Sequence, residues 1–65
     1  MYAIRNKRTK KWVYGTDFRR WPHIQFTSED MALTWDDYER AAYEFKHRQC
    51  GKSYEVVPVR LEVLE

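Results

Sequence analysis

Tyr38, Ala41, Ala42, Phe45 and Gln49 recur at offsets 0, 3, 4, 7 and 11, which places them on one stripe of an α-helix. An isolated helix of this length is marginal in water, so the stripe needs another layer to cover it. Local signals mark its ends. Thr34 followed three residues later by Asp37 matches a capping box, and Leu33 with Tyr38 has the spacing of a hydrophobic staple. Asp36, Asp37 and Glu39 suit the positive end, Lys46, His47 and Arg48 the negative end, and Gly51 suits the C′ position. The pattern predicts a helix over residues 35–50. Ion pairs at Asp36/Arg40 and Glu44/Arg48 would add only about 0.2–0.5 kcal/mol each, so burial of the Tyr38 and Phe45 face has to dominate.

The covering layer is a sheet. Tyr2-Ala3-Ile4-Arg5 and Trp12-Val13-Tyr14 have β-type composition on either side of a basic, turn-compatible stretch from Asn6 to Lys11, which reads as a hairpin. Tyr2, Ile4, Trp12 and Tyr14 are expected on one face, with Gly15 ending the second strand. Tyr54 to Leu64 reads as the last strand, with Val57, Val59, Leu61 and Val63 on one face and Tyr54, Val56, Arg60 and Glu62 on the other. Pro58 lacks an N–H and marks an edge strand or a bulge.

Two segments are less regular. Thr16 to Thr27 mixes Phe18, Trp21, Ile24 and Phe26 with Arg19, Arg20 and His23, and Pro22 forbids a continuous helix. It reads as a long, ring-rich connection, a type of segment that is often functional. Met31 to Trp35 is either a third strand or the start of a longer helix from Ser28 with a capping box at Thr27 and Asp30. The strand is favoured because Leu33 falls off the longer helix's stripe. The expected class is α+β: a small antiparallel or mixed sheet (hairpin, third strand, C-terminal strand) with one helix on one face. Its order is β-β-β-α-β, and residues 1–65 form one domain.

At 65 residues, only about 60% of the unfolded chain's surface can be buried. Cys50 is the single cysteine, so no intrachain disulfide can staple the fold. Three Trp, five Tyr and three Phe, each burying about 150–250 Å², predict an aromatic core with surplus rings at the surface or an interface. No stretch approaches the roughly 18 apolar residues of a membrane span, so a cytoplasmic protein without membrane contact is expected.

Charge is distributed unevenly. Residues 1–25 carry seven Lys or Arg against Asp17 alone, and residues 26–45 carry six Asp or Glu against Arg40 alone. The candidate binding residues are Lys7, Arg8, Lys10, Lys11, Trp12, Phe18, Arg19, Arg20, Trp21 and His23. Cations that neutralise phosphate beside rings that stack bases suit nucleic acid or a nucleotide ligand. A plainer account is a solvated hairpin tip whose lysines discourage edge-to-edge aggregation. The same cations could meet Glu29, Asp30, Asp36, Asp37 and Glu39 of a second copy in a homo-oligomer, or pair with them within one chain. His47 and Cys50 lie three apart, with His23 as a possible third ligand, but four ligands at recognisable spacing are not present, and no metal or other cofactor is expected. Adjacent carboxylates such as Asp36-Asp37 suit helix-start positions better than acid–base roles. With no phosphate loop, nucleophile elbow or metalloprotease motif, a non-enzymatic protein is expected.

The opening Met1-Tyr2-Ala3-Ile4-Arg5-Asn6-Lys7, the Trp12-Val13-Tyr14-Gly15 segment, Ala32-Leu33-Thr34-Trp35-Asp36-Asp37-Tyr38-Glu39 and Cys50-Gly51-Lys52-Ser53-Tyr54-Glu55-Val56-Val57 together resemble short phage and prophage-encoded α+β proteins. The likeness covers most of the chain, its motifs are structural, and it transfers no site residue. The stretch from Thr16 to Thr27 departs from the shortest versions of the pattern. The resemblance implies a protein that binds a host component, including bacterial immune effectors or their nucleotide signals.

Overall fold

A computed structural model describes residues 1–60. It is a small α+β domain in which one helix packs on a five-stranded antiparallel sheet. In chain order the elements are β1 (Tyr2–Asn6), β2 (Trp12–Asp17), β3 (Ile24–Ser28), β4 (Thr34–Trp35), α1 (Tyr38–His47) and β5 (Tyr54–Pro58). β1 is the centre. All five of its residues pair with β5, from Tyr2 opposite Pro58 to Asn6 opposite Tyr54. Its other edge is shared: Arg5 sits opposite Trp12 of β2, whereas Tyr2 and Ala3 sit opposite Trp35 and Thr34 of β4. β2 continues past β1 and pairs with β3 as a second hairpin.

That second hairpin corrects the expected long connection. Thr16 and Asp17 extend β2, Ile24 to Ser28 form β3, and only Phe18 to His23 joins them. Ile24 and Phe26 are exposed while Gln25 and Thr27 are half-buried on the helix side, an inverted alternation in which the apolar side chains face outward. Gly15 does not end β2. It lies inside the strand at a register shift between Val13 and Gly15, and the extra residue bends β2 away from β1.

The expected shared face of Tyr2, Ile4, Trp12 and Tyr14 is also corrected. The pairing of Arg5 with Trp12 puts Val13 beside Ile4 and turns Trp12 to the opposite face, because a one-residue slip exchanges faces. Ile4, Val13 and Cys50 form the core, with Trp35, Phe45, Tyr54 and Val56 packed against it. The fully buried residues are Ala3, Ile4, Val13 and Ala41, so aliphatic side chains fill the centre and rings surround it. This replaces the aromatic core, while the expected surplus of surface rings is present: Tyr14, Phe18, Trp21, Phe26, Tyr38 and Tyr43 are exposed.

The helix is shorter than the pattern predicts. Thr34 and Trp35 are taken by β4, so the cap passes to Asp37, whose carboxylate accepts the Arg40 N–H at 2.7 Å. Of the Met31 to Trp35 strand, only Thr34–Trp35 pairs, although the Leu33 N–H donates to the Val13 carbonyl at 3.0 Å. At the other end Arg48 is the C-cap, and the left-handed position falls on Gln49 (φ 54°) rather than Gly51 (φ 75°), which follows two residues later. The Cys50 N–H donates to the Phe45 carbonyl and the Gln49 N–H to that of Lys46, the paired bonds of a Schellman motif.

The buried residues of α1 are Ala41 and Glu44, whereas Tyr38 is exposed and meets Tyr2 edge-on at 5.6 Å. Glu44 is tolerated because Arg48 Nε donates to it at 3.1 Å. Arg48 Nη1 also donates to the Thr16 hydroxyl at 2.9 Å, and Gln25 Nε2 donates to the Arg48 carbonyl at 2.6 Å. The Arg48 guanidinium lies over both Phe18 and Trp35 at 5.6 and 6.0 Å. This one side chain ties the C-terminal end of α1 to the β2–β3 hairpin. β5 ends at Pro58 and, among the described residues, pairs only with β1, which makes it an edge strand of the described sheet. Leu61, Glu62, Val63 and Leu64 of the expected final strand lie outside the described residues. No helix among the described residues is long and apolar enough to cross a membrane.

Candidate functional site

The ten candidate residues do not converge on one patch. β2 separates them into two groups, and its six residues span about 20 Å at ~3.3 Å each. Lys7, Arg8, Lys10 and Lys11 occupy the β1–β2 turn, Phe18 to His23 occupy the β2–β3 turn, and Trp12 lies at the start of the strand between them.

The first turn is fixed from within. Asn6 Oδ1 accepts the N–H groups of Arg8 and Thr9 at 2.9 and 3.0 Å, and the Thr9 hydroxyl accepts the Lys11 N–H at 3.3 Å. The Lys10 N–H donates to the Asn6 carbonyl and the Asn6 N–H to the Lys11 carbonyl, both at 2.9 Å. Lys10 is left-handed, at φ 63°, a conformation that costs a side-chain-bearing residue roughly 1–2 kcal/mol. The Lys7 N–H donates to the Ser53 carbonyl at 2.8 Å and joins this turn to the α1–β5 loop. Between the two loops lies a pocket of about 330 Å³ lined by Asn6, Lys7, Arg8, Lys52 and Ser53. Lys52 and Ser53 were not legible as site residues. Pairing Asn6 with Tyr54 is what brings them beside the tip.

On the face of the sheet away from the helix, Glu55, Arg5, Trp12 and Ser28 form a cross-strand row. Arg5 Nη2 donates to Glu55 at 2.7 Å and its guanidinium lies 5.7 Å over the Trp12 ring. The Arg5 hydrogen bond, helped by the charges of Arg5, Lys10 and Lys7, holds the Glu55 carboxyl below its ordinary pKa. Trp12 also walls a concavity of about 450 Å³ that has Ala3 and Val59 in its lining, with Asp30 and Arg60 contributing charge.

The second turn is a cluster of rings. Phe18 contacts His23 at 5.2 Å and His47 at 5.6 Å, His47 stacks on Tyr43 at 5.7 Å, and Trp21 meets His23 edge-on at 6.0 Å. Trp21, Phe18 and Tyr43 are exposed, Trp21 at 82%. Asp17 anchors the turn: it accepts the Arg19 N–H at 3.0 Å and faces the guanidinium groups of Arg19 and Arg20 at 3.6 and 3.7 Å. His23 Nδ1 lies 2.9 Å from the Arg20 carbonyl. Tyr43 and His47 were missed as members, though their i,i+4 spacing places them together on one helix face.

The acidic segment is not consumed by the basic one. Among the described residues, Glu29, Asp30, Asp36, Asp37 and Glu39 form no ion pair, and the pairs present join Asp17, Glu44 and Glu55 to arginines. Cys50 is buried, and burial pushes its thiol up to about 11, against a smaller opposing effect of Arg48. Three or more metal-ligating side chains do not come together among the described residues.

Compared with protein-family models, curated proteins and solved structures, the chain matches none.

Proposed function

We propose that the protein is a small non-enzymatic binding protein whose ring-bearing end seats on a protein partner. In the phage-type setting that partner is a host component which it blocks or sequesters, a bacterial immune effector being one such target. The observation that carries this reading is Trp21, 82% exposed and continuous with His23, Phe18, His47 and Tyr43. Leaving so large a ring in water forgoes about 25 cal/mol for each Å² of apolar area that could be buried. Trp, Tyr and Arg are also the residues that dominate binding energy at protein interfaces.

The chemistry specifies the partner surface: an apolar recess for the Trp21 indole, bordered by carboxylates that face Arg19, Arg20 and Arg40. Arg19 and Arg20 keep most of their side-chain surface in water despite Asp17, and Arg40 lies 5.7 Å over the Tyr43 ring. Immobilised wild-type protein, Trp21→Ala and Met31→Ala are to be compared in lysates of several bacterial hosts. Met31 is exposed but lies outside this cluster. A stoichiometric partner should be retained by the wild type and Met31→Ala and lost by Trp21→Ala, at a cost of about 2 kcal/mol or more. Retention of the same proteins by all three, or of none in any host, refutes the reading.

A further inference from the structure

We propose that the pocket between the β1–β2 turn and the α1–β5 loop is a binding site for a phosphate group. Its lining consists of Asn6, Lys7, Arg8, Lys52 and Ser53, and none of these side chains is acidic. Among the described residues the cations in ion-pair contact are Arg5, Arg19, Arg20, Arg40 and Arg48. Lys7, Arg8 and Lys52 have no such contact, and neither do Lys10 and Lys11 of the same turn. Asn6 Oδ1 is spent on the Arg8 and Thr9 N–H groups, which leaves the Asn6 amino group as a donor. Lysine ammonium groups, a guanidinium, an amide N–H₂ and a hydroxyl are together a set of donors suited to an oxyanion.

The site is also held open in advance. The Lys7 N–H to Ser53 carbonyl bond fixes the distance between the two loops, and two further backbone bonds between Asn6 and Lys10 or Lys11 close the turn. Lys10 occupies a left-handed position that glycine or asparagine would adopt more easily. A sparsely populated conformation kept by its surroundings is a recognised mark of a functional loop. Like charges gathered on such a turn repel one another, and a bound phosphate removes that repulsion. The pocket's volume of about 330 Å³ is at the small end of ligand sites, enough for a phosphate and part of what it is attached to.

The phosphate could belong to a free nucleotide or to the backbone of a single-stranded nucleic acid, and the test separates these. Backbone amide signals of the full chain are followed by NMR at low salt with inorganic phosphate, a nucleoside monophosphate and a single-stranded oligonucleotide, each raised to about 10 mM phosphate. Saturable shifts should appear at Lys7, Arg8, Lys52 and Ser53, and Lys52→Ala should weaken binding tenfold or more while Lys46→Ala leaves it unchanged. Both substituted side chains are exposed, so neither variant should lose the fold. Nucleic acid is the source if the oligonucleotide binds at least tenfold more tightly than the monophosphate, with log K falling by about 0.7 per log unit of salt for each phosphate held. Equal affinity for the two points to the nucleotide. Absence of saturation, or shifts spread equally over Arg19, Arg20 and Lys46, overturns the proposal.

Discussion

The two ends of β2 are both basic in sequence, yet they differ physically. At the β2–β3 turn the arginines have partners: Asp17 faces Arg19 and Arg20, while Arg48 is engaged by Glu44 and Thr16. What that end offers to solvent is ring surface bordered by the largely exposed side chains of Arg19 and Arg20. At the β1–β2 turn the backbone is satisfied by Asn6 and Thr9, but the cationic side chains form no ion-pair contact among the described residues, and Lys7 and Lys10 act on the Glu55 carboxylate only from a distance. What that end offers is charge. A run of Lys and Arg in a sequence is therefore not one feature: Arg48, enclosed with Glu44, is a strut, whereas a cation left in water is a lure.

The largest expected effect attacks the strut. Arg48→Met leaves Glu44, which is 9% exposed, with only the longer 3.9 Å contact to the largely exposed Arg40, and should remove up to about 3 kcal/mol. That is a large share of the stability of a domain this size, and thermal unfolding will report it. The double variant Glu44→Leu, Arg48→Met strands no charge and should recover most of the loss. Hydrogen exchange on the double variant then sharpens the contrast: amides from Phe18 to His23 should exchange faster while those from Asn6 to Lys11 are unaffected. Equal acceleration at both ends would show that Arg48 is not specific to the ring end.

The next effect in size reaches both ends through the core they share. Cys50 packs with Ile4 and Val13, and its thiol titrates near 11 in the folded chain against 9.0 for an ordinary cysteine. The folded state therefore holds its proton more tightly than the unfolded state between these values. Stability from this group is complete below pH 9 and is lost as pH rises towards 11, by up to about 3 kcal/mol. Denaturant titrations over that range should show the decline, and Cys50→Ala should flatten it. Native protein at pH 7.5, well below that range, should also resist thiol alkylation.

The smallest effect is local to the cationic end. Lys10→Gly relieves the left-handed lysine and should stabilise the protein by about 0.5–1 kcal/mol, read as a higher melting temperature. Gln49→Gly at the end of α1 should give a gain of the same size. If the strain at Lys10 serves the phosphate site, Lys10→Gly gains stability and loses phosphate affinity, whereas Gln49→Gly gains stability alone.

The class of the fold was legible because the helix stripe and the two β-rich ends carry periodic signals. The helix start was not. Thr34 and Asp37 satisfy the same local rule, and only the pairing of Thr34 with Ala3, a tertiary fact, decides which one caps. β3 was hidden because its large side chains, Ile24 and Phe26, face solvent, and an inverted alternation beside Pro22 resembles a loop. The candidate residues were individually sensible, but Lys7 to His23 looked like one surface only while β2 was taken to end at Gly15. Lys52 and Ser53 entered through strand register, which one sequence does not carry.

The central strand has a further consequence, for synthesis. Ile4 cannot gain its neighbour Val56 until some fifty more residues have been made, a delay of roughly 3–10 s at common elongation rates. Until then the nascent chain has a β-strand with an open edge and a core that lacks Tyr54 and Val56. Folding must therefore wait for β5 to leave the ribosome, and a chain arrested before Tyr54 should remain open to protease along its whole length.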